Sequence, residues 1–123
     1  MDVNDLIGKP YRLGATGPDE FDCWSLTVEV AKRFGVTVPM IDCAGRGRSA
    51  IGAIAEETRH NLAFTVEQPT DGDTLLSLRL GHIGTVVSGR VLHASRKHGV
   101  VLERMESFLS MYRDAQAYRW VRP

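Results

Sequence analysis

The stretch Gly81-His-Ile-Gly-Thr-Val-Val-Ser-Gly-Arg-Val-Leu-His-Ala-Ser95 decides the fold. Two runs rich in Val, Ile, Leu and Thr flank Ser88-Gly89, which sits at the spacing of a two-residue hairpin turn. A hairpin turning there sets Gly84 opposite His93 and His82 opposite Ser95. Side chains alternate across a strand, so His82 and His93 share one face as diagonal neighbours about 7–8 Å apart at Cα. An imidazole in an apolar strand must find a polar partner or it costs stability. Two on the same face can meet each other or a third group.

Outward from the hairpin, Asp73 to Leu78 and Gly99 to Glu103 read as further strands of an antiparallel meander, the latter reached through Lys97-His98-Gly99. Met105 to Tyr112 reads as a short helix with Met105, Phe108, Leu109 and Tyr112 on one face. Ala115 to Val121 reads as an edge strand closing the sheet. Before Pro69 the apolar period changes to that of helices. Ser49 to Leu62, behind the basic loop Gly45-Arg-Gly-Arg48, aligns Ile51, Ile54, Ala55, Thr58 and Leu62. Cys23 to Phe34 aligns Cys23, Leu26, Val30, Ala31 and Phe34, with Glu29, Lys32 and Arg33 opposite. Asp22 is suited to cap this helix and Gly35 to stop it. Residues 8–22 hold three glycines and two prolines, the mark of a folded loop. Helices first and an antiparallel sheet after define an α+β fold. Neither repeat nor linker interrupts residues 1–123, so one domain is expected.

With 123 residues, 43% of them hydrophobic, the chain suffices for one core without staples. Fifteen Lys plus Arg balance fifteen Asp plus Glu, leaving no excess field for a phosphate backbone, so a nucleic-acid partner is not expected. The apolar runs fall far short of the ~20 residues that span a bilayer, so integral membrane association is not expected either. The acidic amino terminus lacks the basic and apolar segments of an export signal. Synthesis in the cytoplasm is therefore expected, with Cys23 and Cys43 as free thiols.

Cys23 falls at the first turn of its helix, directly after the glycine-rich loop. Unpaired N–H groups and the helix dipole favour an anion there, which predicts a thiol pKa below that of free cysteine. The same position equally suits a small apolar residue opening a buried helix. A thiol nucleophile needs a histidine base, itself oriented by a third polar group. His60 and His98 fall on predicted surface, leaving His82 and His93. Read alone, that pair also fits two core histidines satisfied by backbone carbonyls. Cysteine with two histidines would also suit zinc, yet no CxxC, HxxxH or HExxH pair is present and Cys43 lies in a nondescript loop. No metal or organic cofactor is expected.

Three blocks in order carry a family resemblance. They are Gly8-Lys-Pro-Tyr-Arg-Leu-Gly14 followed by Asp22-Cys23, Gly72-Asp73 ahead of His82-Ile-Gly84, and Gly89-Arg-Val-Leu-His-Ala94. Together they resemble the NlpC-type cell-wall cysteine peptidases, a minimal branch of the papain-like superfamily that cuts peptide bonds in bacterial peptidoglycan. The resemblance implies Cys23 as nucleophile, His82 as general base and His93 as the orienting residue. It also implies Tyr11 beside the thiol as a donor to the oxyanion or substrate carbonyl, with Asp22 as support. Two departures stand out: Asp22-Cys-Trp-Ser25 replaces the common D-C-S-G, and Val86 stands where an aromatic is common.

Trp24 and Gly35-Val-Thr-Val-Pro39 look like the branch associated with bacteriophage tails. On this resemblance the expected function is hydrolysis of murein stem peptides between D-glutamate and the diamino acid. The protein would be a tail or tail-tip component, delivered with the particle to the host periplasm and cell wall. Trp24, Arg46 and Arg48 are candidate substrate-binding residues, the arginines for stem-peptide carboxylates. A structural tail-assembly protein with little turnover, and a papain-like amidase or acyltransferase on another substrate, are the alternative readings.

Overall fold

The computed structural model describes residues 1–41, 57 and 62–122. Helix α1 (Cys23–Arg33) precedes strands β1 (Ala63–Thr65), β2 (Thr74–Ser77), β3 (His82–Val87), β4 (Arg90–Ser95) and β5 (Gly99–Glu103); helix α2 (Met105–Met111) and strand β6 (Gln116–Trp120) follow. The strands form one antiparallel sheet in the order β1-β6-β2-β3-β4-β5. This is the α+β arrangement expected.

The hairpin has the expected register: Thr85 pairs with Leu92, Val86 with Val91 and Val87 with Arg90. Ser88 and Gly89 both take positive φ, 53° and 74°, as a primed two-residue turn demands. Strands β2 to β5 form the meander. The run predicted as an edge strand is instead internal, because β6 pairs with β2 on one side and β1 on the other. The true edge, β1, is only three residues long and too short to show a period. The helix predicted over Ser49–Leu62 lies outside the described residues except for Glu57 and Leu62, both of which are helical.

Alternation along the strands explains the layers. Val87, Leu92 and Ala94 pack with Leu26 and Val30 of α1, and Ile83 packs with Cys23 and Trp24. Leu75, Val86 and Val91 point the other way, onto Phe108 of α2. Covered on both faces, β2 and β3 are almost wholly buried. Burial of each such Leu or Val contributes roughly 1.5–3 kcal/mol.

A reciprocal cap starts α1. Asp22 accepts the Ser25 N–H at 2.8 Å, and the Asp22 N–H donates to Ser25 Oγ at 3.0 Å. The helix ends at Phe34, with Gly35 at φ 83°.

Candidate active site

The β3–β4 ladder stops at Thr85 and Leu92. Beyond it, the first turn of α1 sets Cys23 against the backbone at Gly81 and Ile83. The thiol donates to the Gly81 carbonyl at 3.9 Å, and the backbone at Ile83 also hydrogen-bonds the sulfur. The thiol is free and only 6% exposed. Its pKa corrects the expectation drawn from the helix terminus: it is pushed up to about 11, not down. Burial penalises the thiolate most, and the neighbouring Asp22 carboxylate repels it further. Backbone hydrogen bonds from Ile83 and Cys23 itself only partly offset these effects.

His82 and His93 meet, as their shared face predicts. His82 Nε2 lies 2.9 Å from His93 Nδ1, and the rings stand at 86°. Gly84 makes the approach possible: a Cβ there would lie 2.6 Å from Val91 Cγ1 and 3.1 Å from His93 Cβ. His93 is buried, and desolvation pulls its pKa down to about 4, so its ring is neutral at ordinary pH. Among the described residues His93 Nε2 has no hydrogen-bond partner. Helix α2 closes over this pair. Tyr112, just past its end, stacks on His82 with ring centroids 4.6 Å apart and planes 15° apart, and Phe108 meets His93 edge-on at 5.0 Å.

Cys23, His82, Tyr11 and Asp22 line one cleft of about 270 Å³, with Leu13, Leu80, Gly81, Ser95, Arg96, Lys97, Met111 and Tyr112 completing its wall. Tyr11 is half-buried, and burial raises its hydroxyl pKa, keeping it a proton donor. Asp22 is fully engaged, its second oxygen accepting the Gly14 N–H at 3.1 Å. Its two oxygens thus hold the start of α1 and the loop before it.

Trp24 is a correction. It is 1% exposed, donates from Nε1 to the Pro39 carbonyl at 2.7 Å and packs edge-on against Trp120, so it serves the core and cannot bind substrate. Arg46, Arg48 and Cys43 lie outside the described residues.

Among the described residues the cations that line the cleft are Arg96 and Lys97, which are missed when the segment after Ser95 is read as a mere turn through Lys97-His98-Gly99. The signal available is their place immediately beyond His93-Ala-Ser95, at the end of a site strand. Asp114 is missed too. It accepts the Ser77 hydroxyl at 2.7 Å and the Arg79 N–H at 2.9 Å, pinning the turn that carries Leu80 and Gly81 into the cleft. Among the described residues, no group of three or more His, Cys, Asp or Glu is placed to hold a metal ion. No helix among them is long and apolar enough to cross a membrane.

The sequence profile of the NlpC/P60 family matches residues 8–119. Among solved structures, NlpC2 from Trichomonas vaginalis superposes with a TM-score of 0.65 at 21% identity, over 94% of this chain and 44% of that one. The NlpC/p60 domain of the peptidoglycan hydrolase SagA gives 0.58 at 20% identity, over 93% of this chain and 88% of that one. A lipoprotein-like member of the NLP/P60 family from Staphylococcus aureus gives 0.57 at 21% identity, over 94% of this chain and 38% of that one. The chain thus spans less than half the length of the Trichomonas and Staphylococcus proteins it matches. No curated protein matches it.

Proposed function

The chain belongs to the NlpC/P60 family, and we propose that it is a murein stem-peptide endopeptidase with Cys23 as nucleophile, His82 as general base and His93 as the residue that orients it. Family members are cysteine peptidases and hydrolases acting on peptidoglycan. The observation that carries the finer reading is the opening of Cys23 and His82 onto one cleft while His82 Nε2 is held by His93 Nδ1.

In this reading the contact sets the proton inventory: the His82 Nε2–H donates to a neutral His93 at Nδ1, and His82 Nδ1 carries the lone pair that receives the thiol proton. Because the thiol is held protonated, its proton leaves as sulfur attacks the scissile carbonyl rather than beforehand. The new C–S bond turns the carbonyl oxygen into an oxyanion, to which the Cys23 N–H and the Tyr11 hydroxyl donate. The imidazolium formed on His82 strengthens its bond to His93 by charge. Collapse breaks the C–N bond, and His82 returns the proton to the leaving amine. Water, deprotonated by His82, then releases the acyl group from sulfur.

The bond cut in this reading is that between γ-D-glutamate and the diamino acid, and the setting is a phage tail or tail tip that carries the protein to the host wall. The setting rests on the resemblance of Trp24 and Gly35-Val-Thr-Val-Pro39 to the tail-associated branch, two segments that the Trp24–Pro39 hydrogen bond ties together. The protonated resting thiol favours a second reading, a tail-assembly module with little turnover. Digestion of purified stem peptides with mass analysis of the products separates these readings. The proposal expects cleavage on the carboxyl side of D-glutamate and a loss of at least about 10³-fold in Cys23→Ala with folding unchanged. Equal cleavage by that variant refutes the nucleophile, cleavage at another bond refutes the specificity, and a wild-type protein without turnover refutes the endopeptidase reading.

A further inference from the structure

We propose that Arg96, assisted by Lys97, is the specificity-determining residue of the cleft and recognises a free carboxylate of the stem peptide. This rests on the murein reading above.

The charge inventory of the cleft points this way. Its wall holds two exposed cations, Arg96 and Lys97, and one carboxylate, Asp22. That carboxylate is buried and spends its oxygens on the N–H groups of Ser25 and Gly14. Four other arginines of the chain do have acidic partners: Arg12 pairs with Glu20, Arg33 with Asp5 and Glu29, Arg104 with Glu106, and Arg119 with Asp73. Among the described residues, none pairs a carboxylate with Arg96 or Lys97. In a chain of zero net charge, the described wall of the cleft therefore keeps an excess of positive charge beside the thiol.

Arg96 is also held in place. Its guanidinium carbon lies 5.6 Å from the centre of the ring of Tyr11, which lines the cleft together with Cys23. A planar guanidinium steadied against an aromatic face is prepared to take a carboxylate with two parallel hydrogen bonds. A γ-linked D-glutamate leaves its α-carboxylate free, and the diamino acid carries a carboxylate on the other side of the scissile bond. Either supplies the chemistry Arg96 would read.

The test compares three stem peptides: one with both carboxylates free, one amidated at the D-glutamate α-carboxyl, and one amidated at the diamino acid. The wild-type protein is expected to lose at least tenfold in kcat/KM on one amidated peptide, and which one identifies the carboxylate read. Arg96→Gln is expected to lose about the same factor on the acidic peptide, through KM, and to turn over that amidated peptide within twofold of wild type. Arg96→Lys should recover only part of the preference, because it loses the bidentate fork.

A uniform loss on all three peptides in Arg96→Gln overturns the proposal, since it would show Arg96 acting only through Tyr11. No loss on any of them overturns it as well. Those results leave the murein reading standing. Turnover of none of the three by the wild type fells both.

Discussion

Helix α1 presses Leu26 and Val30 into one face of the sheet and begins in a reciprocal cap, whereas α2, seven residues long and without a side-chain cap, lays Phe108 and Tyr112 over the His82–His93 pair on the other face. The two walls hold their reactive groups by different means. Around Cys23 the means are burial, the Asp22 charge and strand backbone, which fix a protonated thiol. Around the imidazoles they are ring faces and one nitrogen-to-nitrogen contact. A helix as short as α2 has little stability of its own and relies on the fully buried Phe108. Changes on the α1 side should therefore move the thiol's titration and the fold together. Changes on the α2 side should fall on the imidazoles and leave the rest of the core in place.

The largest effect expected is acid lability from His93. An unfolded imidazole takes its proton near pH 6.5, but the folded one does so only near 4. Between those values the unfolded state binds more protons, so stability is full above pH 6.5 and lost as pH falls toward 4, by roughly 3 kcal/mol. Urea titrations across that window measure it. In His93→Leu the same window should be nearly flat in the part due to this residue, and an unchanged slope would mean that His93 is not the buried neutral group described.

Next is the aromatic cover. Tyr112→Ala should cut kcat/KM by about tenfold, in line with the roughly 0.5–1.5 kcal/mol that stacked rings contribute. Tyr112→Phe keeps the ring and should restore activity to within about twofold. Equal losses in both variants would assign the effect to the hydroxyl instead.

The smallest effect sharpens the α1 side. Asp22→Ala removes the cap and should cost about 1 kcal/mol in thermal unfolding. Asp22→Asn keeps a cap without the charge, and should lower the Cys23 thiol pKa and speed its alkylation at pH 8. No acceleration in Asp22→Asn would show burial alone setting the thiol.

The hairpin and its facing histidines are legible in the sequence because both depend on local rules, a two-residue turn and strict alternation. The α1 cap is legible for the same reason: Asp22 and Ser25 lie three residues apart. The thiol's titration is not, because the helix terminus that lowers it is written locally while the burial that raises it comes from distant strands. Trp24 sits beside Cys23 in sequence, yet the helix turns its side chain away from the cleft toward Pro39 and Trp120. Tyr112 and Arg96 act on His82 and Tyr11, from which they are far in sequence. Only the closing of α2 and of the β4–β5 turn brings those pairs together. The place of β6 is hidden likewise, since nothing in its own residues indicates that β1 pairs outside it.

The central claim is that the Cys23 sulfur becomes acylated with His82 as the base. Acid-quenched reactions on a slowly turned-over stem peptide, followed by intact-mass measurement and peptide mapping, test it most directly. The account predicts an adduct equal to the acyl half of the substrate on the peptide containing Cys23, absent in both Cys23→Ala and His82→Ala. Turnover with no adduct at Cys23, or an undiminished adduct in His82→Ala, would contradict it.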